Sequence, residues 1–189
     1  ACGNSSTASQ TINVEDRTAP LILGVSTADT IECPATPVFA TLTVTDACDP
    51  APSLTYNDVT APGSCPQEYS ITRTWTATDA CGNSSTASQT ITVEDTQAPV
   101  ITTTATSGNQ GCNPTIVAPT FTGTDNCEGN ITPNVNTTGP SNVGCSYSQT
   151  WTANYTDACG NAANPVSITY TWTEDTQLPV ITTTATSGN

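Results

Sequence analysis

The chain has 189 residues, 16 of them acidic and only two basic, for a formal net charge of -14 with no His, Lys or Met. Arg17 and Arg73 cannot form a basic patch, which excludes nucleic acid as a partner. The absence of His removes the usual general base and commonest metal ligand, and the absence of Lys removes Schiff-base chemistry and Lys–Asn isopeptide crosslinks.

Few large apolar residues and a high net charge are features shared with disordered chains. Richness in Thr, Ser and Cys, together with regular apolar alternation, argues instead for a folded chain. Nine cysteines in a repeating pattern of spacings point to disulfides that support a small core in an oxidising, extracellular setting.

In chain order, the first signal is a repeat. Ala-Cys-Gly-Asn occurs at 1–4, 80–83 and 158–161, and Glu-Asp-x-x-x-Pro at 15–20, 94–99 and 174–179. Pro99–Asn109 recurs letter for letter as Pro179–Asn189. Cys2 lies 79 residues before Cys81, and Cys33 the same distance before Cys112. A period of that length suits a small sandwich domain better than a solenoid unit. Boundaries at Glu-Asp-x-x-x-Pro give the C-terminal strand of a preceding repeat at 1–16 and full repeats at 17–95 and 96–175. Residues 176–189 then read as the first strand of a following repeat, and the chain as a window on a longer array. No membrane span is visible, so no membrane insertion is expected in this segment.

Strands follow from period-2 alternation. Val38, Ala40, Leu42 and Val44 form one set; Tyr69, Ile71, Trp75 and Ala77 form another, with Arg73 its odd member. In the second repeat Val166, Ile168, Tyr170 and Trp172 alternate with Ser and Thr. Pro50, Pro52, Pro62, Gly63, Pro140 and Gly144 punctuate the gaps. The expected fold is all-β: tandem immunoglobulin-like sandwiches of about seven strands each, stapled by disulfides. Trp75, Trp151 and Trp172 lie on the alternating faces and are expected in the core.

In that fold strand B ends near Asp46 and strand F near Asp79, running the same way in opposing sheets. Cys33 and Cys65 precede these strands, and Cys48 and Cys81 follow them. Four cysteines allow three connectivities. The geometry favours Cys33–Cys65 and Cys48–Cys81, and in the second repeat Cys112–Cys145 and Cys127–Cys159. On the chain-entropy account each bridge would contribute about 3–4 kcal/mol. Cys2 is the fourth cysteine of a truncated repeat, its partner expected upstream. Zinc is disfavoured, since no two cysteines are closer than 14 residues and no His is present.

Twelve of the 16 acids map to the expected joints between repeats. The first joint gathers Glu15, Asp16, Asp46, Asp49 and Asp79, the second Glu94, Asp95, Asp125, Glu128 and Asp157, and Glu174 and Asp175 begin a third. Carboxylates from three segments suit a hard cation, so Ca²⁺ at the inter-domain junctions is the expected cofactor. The plainer reading is a hydrated linker with Asp and Asn as turn formers, Arg17 pairing with Asp16. An enzyme is not expected, because adjacent acids such as Glu94 and Asp95 on a strand point to opposite faces.

Glu32-Cys33-Pro34, Thr72-x-Thr74-Trp75, Asp79-Ala80-Cys81-Gly82-Asn83 and Asp125-Asn126-Cys127 together resemble HYR-type immunoglobulin-like domains. The likeness is closest to the long arrays in surface adhesins of gliding Bacteroidetes. It implies an extracellular, cell-surface location and a filament that attaches to an external surface or polysaccharide, with gliding motility as one use. Neighbouring repeats of the same chain would be its other partners. It also implies an O-glycosylation signal at Asp29-Thr30-Ile31, with Thr30 as the acceptor. HYR domains often carry a cysteine in strand G, which is absent here, so the pairing above rests on geometry alone. The function expected is that of stalk repeats in a secreted adhesin. The alternative is a binding module whose B–C and F–G loops contact glycan or protein; near-identity of the repeats favours the stalk.

Overall fold

The computed structural model describes residues 2–182, and the chain divides into two compact units, Ala1–Glu94 and Asp95–Asn189. Among the described residues every regular element is a strand, so the fold is all-β as the alternation predicts. No helix there is long and apolar enough to cross a membrane.

The first unit contains β1 (Leu21–Leu23), β2 (Asp29–Glu32), β3 (Thr43–Thr45), β4 (Ser53–Pro62), β5 (Tyr69–Thr78) and β6 (Ser84–Glu94). Strands β1 and β3 form a small antiparallel sheet, and the larger sheet runs β2-β6-β5-β4. After β1 the chain changes sheets, so that β2 lies parallel to β6, with Asp29 opposite Ile91. The second unit repeats this plan with β7 (Val100–Thr102), β8 (Gly108–Cys112), β9 (Thr122–Asp125), β10 (Gly129–Ile131), β11 (Asn134–Val143), β12 (Ser146–Asn154) and β13 (Val166–Thr173). Its sheets run β10-β9-β7 and β11-β12-β13-β8, again with a parallel pair, β8 on β13.

Alternation on the two central strands of each large sheet sets the core. Trp75 and Ala77 on β5 are buried with Ile91 and Val93 on β6, and Phe39 meets the Trp75 ring edge-on at 6.1 Å. In the second unit Trp151, Ala153, Ile168 and Trp172 are buried, and Tyr147 stacks on Trp172 at 5.6 Å. All three tryptophans are thus core residues, each contributing on the order of 3 kcal/mol of apolar burial. The opposite face explains the threonine content. Thr72 and Thr90 pair their hydroxyls across β5 and β6 at 2.9 Å, and Thr150 and Thr169 do so at 2.8 Å. Such cross-strand pairs stabilise a sheet face without apolar side chains.

Three expectations need correction. The alternating segment 38–44 forms ladder bonds only at Thr43–Thr45, and Val38 is exposed. Upstream, Pro37 offers no N–H, and Ala40 N donates instead to Oε1 of Gln89 at 3.4 Å. Gln89, buried on β6, also donates through Nε2 to Thr27 O at 3.2 Å. Its amide replaces a strand neighbour. Residues 2–16 and 176–182 form no strand, since no strand among the described residues pairs with them. The rest of the expected following strand, residues 183–189, lies outside the described residues.

The third correction concerns the cysteines. Cys33, Cys65, Cys127 and Cys159 are disulfide-bonded, whereas Cys2, Cys48, Cys81, Cys112 and Cys145 are free and exposed thiols. The expected Cys48–Cys81 and Cys112–Cys145 bridges are therefore not formed. Cys112 and Cys145 flank β13 on opposite sides: Cys112 is in register with Thr173, and Glu174 N donates to Cys145 O. A whole strand intervenes between their backbones, and that separation exceeds disulfide reach. Equivalent positions also carry opposite states. Cys33 and Cys65 are each disulfide-bonded where their counterparts Cys112 and Cys145 are not, and Cys127 and Cys159 are each bonded where Cys48 and Cys81 are not.

Candidate functional site

The turn Asp-Ala-Cys-Gly-Asn joins β5 to β6 and follows β12 in the second unit. Its conformation is fixed locally. Asp79 N donates to Asn83 O and Gly82 N to Asp79 O, while Gly82 sits at φ 91°, a region that L side chains avoid. Asp157, Asn161 and Gly160, at φ 96°, reproduce the arrangement. Each leading aspartate caps its own turn. Asp79 Oδ1 accepts from Cys81 N at 2.9 Å and Asn83 N at 2.8 Å, and Asp157 Oδ1 from Cys159 N at 2.9 Å and Asn161 N at 2.7 Å.

A second aspartate caps the turn after β3 or β9. Asp46 Oδ1 accepts from the N–H groups of Cys48 and Asp49, both at 2.9 Å. Asp125 Oδ1 accepts from those of Cys127 and Glu128, both at 2.8 Å. The third comes from the segment before the first strand, where Asn83 Nδ2 donates to Asp16 O at 3.1 Å and Asn161 Nδ2 to Asp95 O at 3.0 Å.

Three aspartates therefore meet at one pole of each unit. Carboxylate oxygens of Asp16, Asp46 and Asp79 lie within 4.8 Å of one another, as do those of Asp95, Asp125 and Asp157. Asp95, Asp125 and Asp157 are all buried, and so is Asp79, while Asp16 and Asp46 are half-buried. The Oδ2 atoms of Asp46, Asp125 and Asp157 are shielded from water and accept no hydrogen bond.

Neither arginine neutralises this charge. Arg17 pairs with Glu15 rather than with Asp16, whose Oδ1 is taken by Thr18 N at 3.0 Å. Arg73 forms a two-pronged ion pair with Asp58, both contacts at 2.8 Å, and lies over the rings of Tyr56 and Phe39 at 3.9 and 4.3 Å. The second unit contains no Lys or Arg. At Asp79 burial pushes the carboxyl pKa upward, but bonds from the Asn83 side chain and from the Asn83, Cys81 and Gly82 N–H groups outweigh it. The net result lies below the ordinary value.

Of the ten acids singled out in the sequence, six form the triads and four do other work. Asp49 Oδ2 accepts from Ala80 N at 2.9 Å, tying the turn after β3 to the Asp79 turn. Glu128 does the same in the second unit through Oε1 to Ala158 N at 2.8 Å, while Oε2 accepts from Tyr155 Oη at 2.9 Å. That carboxylate, foremost through the hydrogen bond, raises the Tyr155 pKa. Glu15 pairs with Arg17, and Glu94 ends β6, its carbonyl accepting from Cys33 N at 3.0 Å. Asn83 and Asn161 were missed as site residues, although each closes the repeated Ala-Cys-Gly-Asn motif. Thr30 is exposed on edge strand β2, its N–H donating to Asp29 Oδ1 at 2.9 Å.

The donor set is chemically hard. All three ligands of each triad are oxygens, which suit Ca²⁺ better than zinc. In the first unit Cys48 stands nearby, yet the charge of Asp16 foremost, with burial and Asp46, pushes its thiol pKa upward and keeps it protonated. The shielded, unbonded Oδ2 atoms fit a bound cation.

Solved structures with a similar course of chain include the protocadherin gammaB7 EC3-6 cis-dimer (14% identity, TM-score 0.34, 83% of this chain and 51% of that one). Others are the protocadherin GammaB4 extracellular domain (14%, 0.36, 85% and 34%) and Drosophila N-cadherin EC1-4 (13%, 0.36, 84% and 50%). The chain spans about a third to a half of these three structures. No curated protein matches it. Residues 21–93, from the start of β1 almost to the end of β6, match the sequence model of the HYR-like domain with four cysteines.

Proposed function

We propose that the chain supplies structural stalk repeats of a secreted, cell-surface adhesin filament that attaches cells to an external surface or polysaccharide and serves gliding. The observation that supports this most is the rebuilding of one polar scaffold in both units. Aspartate turn caps, the Asn83 or Asn161 tie, and the Asp49 or Glu128 strut occupy equivalent positions. Repetition of a pole suits a part whose role is to be joined in series, whereas a recognition tip gains from divergence. Cations at the aspartate-rich poles stiffen the stalk in this reading. The HYR-like match over 21–93 agrees with an extracellular repeat.

The test is a length series. Two, four and eight repeats are expressed as secreted chains and measured by small-angle scattering and electron microscopy. Contour length is expected to grow in proportion to repeat number, and the 189-residue chain is expected to bind nothing on a glycan array. Length that does not scale, or saturable glycan binding by this chain alone, overturns the stalk reading.

A further inference from the structure

Asp125 and Asp157 are each more than nine-tenths buried, and in both Oδ1 is engaged twice by main-chain N–H groups while Oδ2 accepts nothing. An ionised carboxylate held away from water with a bare oxygen is costly unless a cation or a proton joins it. Beside Asp95 these oxygens lie within 4.8 Å of one another, in a unit with no cationic side chain. A bound divalent ion removes that repulsion, and three carboxylate ligands leave positions for carbonyls or water in the six to eight oxygens that Ca²⁺ accepts.

We propose that each compact unit binds one Ca²⁺-class cation through aspartates of that unit alone, which moves Asp16 and Asp95 from the ends of the sequence repeats to the starts of the units that follow. The ligands are Asp95, Asp125 and Asp157 in the second unit and Asp16, Asp46 and Asp79 in the first. The inference deepens the stalk reading and rests on it for biological purpose, though not for its chemistry. It also ranks the sites. The second triad is buried throughout, whereas Asp16 and Asp46 are only half-buried, so the repulsion that a cation relieves is less screened in the second site, which binds more tightly. Asn161 and Asn83 act as positioning residues, fixing the backbone of Asp95 and Asp16 respectively.

The test is calorimetric titration of the whole chain with CaCl₂, paired with thermal unfolding in Ca²⁺ and in EDTA. Two binding events of unequal affinity are expected, and Ca²⁺ a hundredfold above Kd should raise the unfolding midpoint by about 10 °C. Asp157→Asn keeps the Oδ1 turn cap but removes a charged ligand; it should abolish the tighter event, and Asp79→Asn the weaker one. The decisive comparison is in EDTA. There Asp157→Asn should be as stable as the unmodified chain or more so, because it relieves repulsion, and it should gain nothing from Ca²⁺ at that site. Equal destabilisation with and without Ca²⁺ would make the aspartates turn formers only and overturn the proposal, as would the absence of binding heat. If Asp157→Asn does not fold, Asp125→Asn gives the same reading. Ca²⁺ binding by repeats whose length does not scale overturns the stalk alone; scaling without binding overturns the cation sites alone.

Discussion

Asn161 donates from Nδ2 to the carbonyl oxygen of Asp95 at 3.0 Å, a residue 66 positions earlier in the chain. Asn83 makes the same bond to Asp16 at 3.1 Å, across 67 positions. The last residue of each Asp-Ala-Cys-Gly-Asn turn thus holds the segment that leads into the first strand. Asn161→Ala should cost about 1 kcal/mol, the usual net worth of one such hydrogen bond. Its midpoint should fall by about 5 °C in EDTA, and the tighter Ca²⁺ event should weaken because Asp95 is no longer positioned. An unchanged midpoint and affinity would show that the bond is incidental.

The pair Asp58–Arg73 carries a pH dependence. Hydrogen bonding from Arg73, with its charge, holds the Asp58 carboxyl below its ordinary value in spite of some burial. A carboxylate whose folded pKa is depressed contributes stability that is present above the unfolded value. That contribution is lost as pH falls through the lower, folded value. Stability should therefore decline on the acid side of the usual carboxylate range, and Arg73→Gln should flatten that decline. The ion pair is partly exposed, so salt should reduce the difference. An acid limb identical in both proteins would remove Asp58 from the account.

The cysteine states are readable by mass. Alkylation of the native chain before reduction should label Cys2, Cys48, Cys81, Cys112 and Cys145 and spare Cys33, Cys65, Cys127 and Cys159. Non-reducing peptide maps then identify the partners. Peptides joining Cys33 to Cys65 and Cys127 to Cys159 would support the pairing expected from spacing, and any mixed pair would replace it.

Lowering the pole's turn chemistry should separate scaffold from charge. Gly160 has φ 96°, so Gly160→Ala forces a side chain into the left-handed region at a cost of about 1 kcal/mol. Nothing lies within 4 Å of the added carbon, so the loss should be backbone strain alone. Gly160→Asn should restore part of the lost midpoint, since Asn tolerates this region. Equal losses for Ala and Asn would place the cause elsewhere.

Much of this was legible in the residues themselves. The alternation Trp75–Ala77 and Ile168–Trp172 marks a buried face because a strand turns every second side chain the same way. The 79-residue repeat announces two equivalent units, and acids cluster at the recurring Glu-Asp-x-x-x-Pro and Asp-Ala-Cys-Gly-Asn motifs. Other features left no local trace. Val38–Leu42 alternates as a strand should, yet Ala40 N donates to Gln89, a residue 49 positions away, and not to a neighbouring strand. Arg73 looks misplaced on its face until Asp58, Phe39 and Tyr56 are brought around it.

The opening balance of 16 acids against two bases was fixed by composition, as was its concentration at particular motifs. Which carboxylates meet was decided only by the tertiary structure. Asp95, Asp125 and Asp157 come from three separate segments, and only the sheet framework brings their oxygens within 4.8 Å of one another. Glu94, next in sequence to Asp95, ends a strand instead, and Glu128 is spent on Ala158 N and Tyr155. Charge is a property of the residue, whereas convergence of charge depends on which turn caps which N–H group and on where the sheets set those turns.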